Sequence, residues 1–201
     1  MGTVFAFLER IFYNENMRIE KTILEGVVII EPDVFADERG FFMETFEENR
    51  YQELLGEEVH FVQDNFSFSK KNVLRGLHYQ APPFGQGKLV QVLSGTVLDV
   101  AVDVRFGSPT FDKHVVVELS GENHKQIFIP EGFAHGFVVL SDNALFSYKC
   151  TNVYSKEHER GVLWNDPALN IDWNVEIPLV SKKDQKHPFL KDIAEEYFFK
   201  L

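Results

Sequence analysis

From residue 26 to residue 150 the chain is a succession of short apolar or alternating runs, each closed by residues that favour turns. Such runs fall at 27–30, 40–46, 59–68, 73–79, 88–93, 96–104, 114–119, 126–129, 136–140 and 145–150, with Ser94-Gly95 and Ser120-Gly121 as turn signals. In 96–104, Leu98, Val100, Val102 and Val104 alternate with Asp99, Ala101 and Asp103. A period of two predicts a strand with one apolar face and one wet face. No long amphipathic segment separates the runs, which excludes a βαβ repeat. Residues 47–55 predict one modest helix and 192–200 a terminal one. Many short strands at this spacing predict an all-β fold, a sandwich or jelly roll with a few short helices.

Ahead of the strands, Phe5, Leu8 and Phe12 have helical spacing. Residues 1–16 therefore read as an extension, with a docking helix among the alternatives, and Met17 as an alternative start. Residues 17–201 read as a single domain, long enough to bury a substantial core. The 20 phenylalanines suggest a β-rich core or an aromatic-lined cavity. A net charge of −11 argues against nucleic acid as a partner, because binding it needs a phosphate-neutralising basic surface. A small phosphate-bearing ligand stays open, since local arginines dominate within a Debye length of about 8–10 Å. No apolar run approaches the roughly 20 residues of a membrane-spanning helix, and no secretory apolar core is present. Hence no membrane partner and a cytoplasmic location are expected. The single cysteine, Cys150, excludes an internal disulfide and reads as an inert buried thiol.

Two stretches carry the candidate chemistry, Arg75-Gly76-Leu77-His78-Tyr79-Gln80 and Pro130-Glu131-Gly132-Phe133-Ala134-His135. The second has the Pro-x-Gly-x-x-His spacing of one half of the cupin metal-binding signature. The first lies where the other half, a His-x-His with a following acid, belongs, but it offers only His78, with Gln80, Phe84 and Gly85 in the other places. A divalent metal takes three or four converging N, O or S ligands, and this pair supplies two. No metal and no cofactor are expected. Arg75 and Lys88 flank His78 instead, which suits an anionic substrate and a developing negative charge.

By residue type alone each candidate has a plain alternative. His78 is either a hydrogen-bonded core histidine or a base that titrates near neutrality. Asp184 is a solvated acid or the partner of that base, with Asp166 competing for the role. Lys88 is a surface lysine or an electrostatic stabiliser. Tyr148 and Tyr154, six apart, can share one side of an extended segment as structural residues or as a proton donor. Arg39 is a turn residue or, like Arg75, a fork for phosphate. Gln63 and Asn65 alternate on one strand face, for a ligand or for the sheet edge. His135 is a metal-site relic, a core residue or a substrate contact. His60, His114, His124, His158 and His187 read as surface residues.

With these stretches stand Asp37-Glu38-Arg39-Gly40-Phe41-Phe42, Phe61-Val62-Gln63-Asp64-Asn65, Lys88-Leu89-Val90, Tyr148-Lys149-Cys150-Thr151, Trp164-Asn165-Asp166-Pro167 and Ser181-Lys182-Lys183-Asp184. In this order, from about residue 19 to 188, they resemble the dTDP-4-dehydrorhamnose 3,5-epimerase family. The resemblance implies a cupin-type jelly roll that converts dTDP-4-keto-6-deoxy-D-glucose to dTDP-4-keto-L-rhamnose without a metal, for deoxysugar and polysaccharide synthesis. It implies His78 as the base at C3 and then C5, Asp184 as its partner, Lys88 beside the C4 ketone oxygen, and Tyr148 as the opposite-face acid. Arg39 and Arg75 are implied for the diphosphate, Tyr154 for the nucleotide base, and Glu44, Gln63, Asn65 and His135 as further substrate contacts. A homodimer exchanging its N-terminal strand region, with Arg39 serving the neighbour's site, is also implied.

Overall fold

The computed structural model of the chain describes residues 17–201, and residues 7–12 as backbone. In chain order the strands are β1 (Phe7–Phe12), β2 (Arg18–Thr22), β3 (Val28–Glu31), β4 (Phe35–Asp37) and β5 (Gly40–Phe42), followed by helix α1 (Glu48–Leu55). Then come β6 (Gln63–Lys70), β7 (Val73–Gln80), β8 (Lys88–Ser94), β9 (Thr96–Asp103) and β10 (His114–Ser120). The series ends with β11 (Gln126–Ile129), β12 (Phe133–Val139), β13 (Asn143–Cys150), β14 (Glu159–Gly161) and β15 (Leu179–Val180). A seven-stranded sheet in the order β1-β2-β3-β11-β8-β13-β6 faces a six-stranded one, β10-β9-β12-β7-β14 with β15 beside β7, and β4-β5 form a separate hairpin. This is an open two-sheet sandwich of the expected cupin, jelly-roll type.

Alternation places the side chains. Ile29, Val90, Ala101, Ile127, Phe137 and Phe146 come from both sheets and form one buried cluster between them. Phe137 and Phe146 stack with centroids 4.0 Å apart. The other face of the six-stranded sheet, including Leu98, Val100 and Val102, is covered by Trp173, Leu190 and Phe198 from the C-terminal segment. Helix α1 starts where the Glu47 carboxylate accepts the Asn49 and Arg50 amide protons, a side-chain cap. It docks Tyr51 on the outside of the seven-stranded sheet, where the phenol donates to Gln126 Oε1 at 2.6 Å.

Several expectations need correction. The wet face of β9 is dry: Asp99 and Asp103 are fully buried. The strand sits between β10 and β12, so its polar side faces the opposite sheet and not water. Both carboxylates are partnered there, Asp103 by Arg105, Ser108 and Thr110, and Asp99 by His135. The terminal helix over 192–200 is replaced by 3-10 turns at Leu190–Asp192 and Glu195–Tyr197. Tertiary contacts override the helical pattern: Phe198 stacks on Tyr79, and Phe106 N–H donates to the Phe199 carbonyl, drawing the chain out. The helical spacing in the tail is likewise overridden, because β1 pairs antiparallel with β2; Phe5 lies outside the described residues. The run at 40–46 shortens to β5, and that at 59–68 begins at Gln63. Among the described residues no helix is long and apolar enough to cross a membrane.

Candidate active site

A cavity of about 480 Å³ opens between the sheets, and His78 lies on its wall. Strand β7 reaches it through an irregularity. A strict period of two would turn Arg75 and His78 to opposite faces. In the pairing with β12, however, Phe137 faces Arg75 and His135 faces His78, so β7 carries one extra residue there. This bulge at Gly76-Leu77 turns both side chains into the cavity. Gly76 is required in it: its φ is +127°, and a Cβ would stand 2.6 Å from the Gly136 Cα on β12.

His78 Nε2 lies 2.8 Å from Asp184 Oδ1, on the 3-10 turn Asp184–Lys186. Burial alone would raise the Asp184 carboxyl, but the neighbouring His187 and His78 rings and the Gly76 amide hold it well below the usual carboxylate range. An ionised carboxylate only accepts, so Nε2 of His78 carries the proton and Nδ1 keeps the lone pair. That is the arrangement of an oriented base. Asp166, the rival acid, is tied to the Ala168 and Leu190 amides instead.

Lys88 begins β8, register partner of Cys150 on β13, and is buried. Burial depresses its ammonium pKa, with Cys150 and Asp99 pulling the other way. Among the described residues it forms no salt bridge. A buried cation without an ion-pair partner is available to a charge that develops on a ligand. Tyr148 lines the same cavity from β13; burial and Cys150 raise its phenol pKa, against Arg75, so it stays a protonated donor at neutral pH. Arg75 is steered by Ser69, to whose Oγ it donates at 3.0 Å.

His135 Nε2 lies 2.9 Å from Asp99 Oδ2. Asp99 was not among the expected site residues, because in the sequence it is one polar position in an alternating strand. Its other oxygen, Oδ1, is buried without a partner. Thus the two histidines on the metal half-signatures each give Nε2 to a carboxylate. The described residues bring three ligand-type atoms within 4.8 Å of one another at His78, Asp184 and His187, where the Asp184 carboxylate is already paired with His78.

Asn65 and Tyr154 also line the cavity, Tyr154 from the loop beyond β13. Its hydroxyl donates to Glu159 Oε2 at 2.8 Å, and its amide donates to Gln63 Oε1 at 3.0 Å. Gln63 stands one step behind the wall, with its amide on Asn65. Arg39 and Glu44 do not reach this cavity. Arg39, at the tip of the β4-β5 hairpin, is 84% exposed and paired with Asp37, and Glu44 is paired with Arg50.

A family model described as dTDP-4-dehydrorhamnose 3,5-epimerase matches residues 21–192. The chain belongs to that family. It is 59% identical to the dTDP-4-dehydrorhamnose 3,5-epimerase of Shigella flexneri, over 84% of this chain and 93% of that one. The dTDP-6-deoxy-D-glucose-3,5-epimerase of Legionella pneumophila Philadelphia 1, solved in complex with dTDP-4-keto-L-rhamnose, superposes with a TM-score of 0.90. It shares 53% identity, covering 92% of this chain and 99% of the other. The enzyme from Elizabethkingia anophelis NUHP1 gives 0.84 and 52%, covering 89% and 98%.

Proposed function

We propose that the chain is an isomerase that inverts C3 and C5 of dTDP-4-keto-6-deoxy-D-glucose, giving dTDP-4-keto-L-rhamnose for dTDP-rhamnose synthesis. The observation that carries this reading is the 2.8 Å His78–Asp184 pair in a cavity also lined by Lys88 and Tyr148. A hydrogen alpha to a ketone becomes acidic only if the enolate oxygen is stabilised. His78 Nδ1 takes the C3 proton, and the Lys88 ammonium holds the charge that collects on O4. Tyr148 returns a proton to the opposite face; His78 then releases its proton to solvent and Tyr148 regains one from it, and the cycle repeats at C5. Arg75 takes the diphosphate and Tyr154 the nucleotide base, with Asn65, Gln63 and His135 as sugar and nucleotide contacts. No step needs a metal, and EDTA is expected to leave turnover unchanged.

Tyr148→Phe separates the two proton transfers. It keeps the base and the cation, so solvent deuterium should enter C3 while inverted product falls by about 10²- to 10⁴-fold, the usual worth of a general acid. NMR of the recovered sugar reads both at once. Epimerisation at the wild-type rate would assign the acid to another group.

The same reading includes a homodimer in the cytoplasm, with the N-terminal strand region reaching across. The hairpin carrying Arg39 exposes Phe35, Phe41 and Phe42, and edge strand β6 exposes Phe66 and Phe68, at 58–77% of their surfaces. So much aromatic surface at an unpaired sheet edge fits a protein partner. Arg39 and Glu44 then serve the neighbour's cavity. Phe66→Asp with Phe68→Asp should convert the dimer to monomer in light scattering and remove most activity. A double variant that stays dimeric would place the interface elsewhere.

A further inference from the structure

His187 was expected at the surface, yet its side chain is only 12% exposed and lies against the His78–Asp184 pair. The local fold puts it there. In a 3-10 turn residues three apart eclipse, so the turn that starts at Asp184 brings residue 187 over the same side. Pro188 favours an extended backbone at the preceding residue, and His187 has φ −61° and ψ 147°, so the turn ends with its ring aimed back at the carboxylate.

Three contacts fix the ring. Its Nε2 is 3.5 Å from Asp184 Oδ1, the same oxygen that His78 Nε2 meets at 2.8 Å. Its plane stands edge-on to His78, centroids 5.5 Å apart at 78°. Beneath it is Gly161 on β14, the register partner of His78, where a Cβ would lie 2.4 Å from His187 Nε2. Any other residue at 161 would occupy the place of the ring. That nitrogen is buried and closes no hydrogen bond in this geometry, so the Asp184 carboxylate 3.5 Å away is the acceptor it can close on.

We propose that His187, seated over Gly161, is a positioning residue: it shares the Asp184 carboxylate and holds it where it accepts the His78 Nε2 proton. The inference rests on the epimerase reading and adds a third member to the pair. His187 touches no substrate atom in this account. It acts by removing the freedom of Asp184 to rotate away, which keeps Nδ1 of His78 aimed into the cavity.

The test uses His187→Ala, His187→Asn and Gly161→Ala in the full-length protein. His187→Ala should lower kcat by about 10- to 100-fold, the scale for groups that orient a working histidine through its partner. KM, dTDP affinity and melting temperature should hardly change. His187→Asn keeps a side-chain N–H donor and should recover part of the loss. Gly161→Ala should reproduce the loss with His187 intact, by displacing its ring. In the substrate-free protein, the downfield proton resonance of His78 Nε2–H should shift or broaden in both Ala variants. Wild-type kcat together with an unmoved resonance would overturn the proposal, as would a loss confined to KM. If the wild-type protein fails to epimerise the keto sugar, the epimerase reading falls, and the resonance alone still decides what His187 does.

Discussion

Replacing His78 by Ala should stop solvent deuterium from entering either C3 or C5 and cut turnover by about 10²- to 10⁴-fold. The reason is geometric. His78 lies in the cavity with one ring nitrogen fixed on a buried carboxylate, Asp184, and a third of its side chain open, whereas His135, paired likewise with Asp99, is only 9% exposed. Without His78 no enolate forms, so exchange and inversion vanish together. Affinity for dTDP should persist, because the nucleotide is held by other groups. Calorimetry with dTDP and NMR of the recovered sugar separate binding from chemistry. Deuterium exchange surviving in His78→Ala would give the base role to another group.

Lys88→Met is expected to lower kcat by about 10²- to 10³-fold, the scale for losing an oxyanion stabiliser. Stability should move the other way. A buried ammonium gives up its hydration, which is why burial depresses its pKa, and an apolar side chain of similar length escapes that cost. The variant should melt at or above the wild-type temperature. The pH dependence follows from the same cause. Lys88 works as the cation; as pH rises through its lowered pKa the charge is lost, so wild-type activity should fall at a pH below the ordinary lysine value of 10.5. A Lys88→Met enzyme with unchanged kcat would remove the cation from the mechanism.

Much of this architecture is legible in the sequence because strand alternation and turn residues are local signals. The run at 126–129 coincides with β11, and α1 begins at the Glu47 cap where the helical pattern starts. Long-range packing is not local, and the failures follow from that. Asp99 looked wet because nothing in its own strand reveals a second sheet above it. Residues 192–200 have a helical pattern, but Phe198 gains more by packing on Tyr79. Strands β2 and β14 are short and rich in charge, so no apolar run announces them.

The site divides in the same way. His78, Lys88, Tyr148 and Asp184 come from motifs whose order along the chain carried the resemblance, and the fold brings their side chains to one cavity. His187 carried a weaker signal: its spacing of three from Asp184 matters only once that segment is known to be a 3-10 turn. Likewise a spacing of three puts Arg75 and His78 on opposite faces of a regular strand, and the bulge at Gly76 brings them to one. Arg39 and Glu44 stay outside their own chain's cavity, so a role for them at a site requires the second copy proposed above.

In the proposed mechanism one oriented base works at two carbons flanking a ketone. Wild-type protein should therefore be incubated with dTDP-4-keto-6-deoxy-D-glucose in deuterated water, and the product analysed by NMR and mass spectrometry. The product should be a sugar inverted at both C3 and C5 with one solvent deuteron at each. A product that keeps its original hydrogen at either carbon, or a substrate returned without deuterium, would contradict that mechanism.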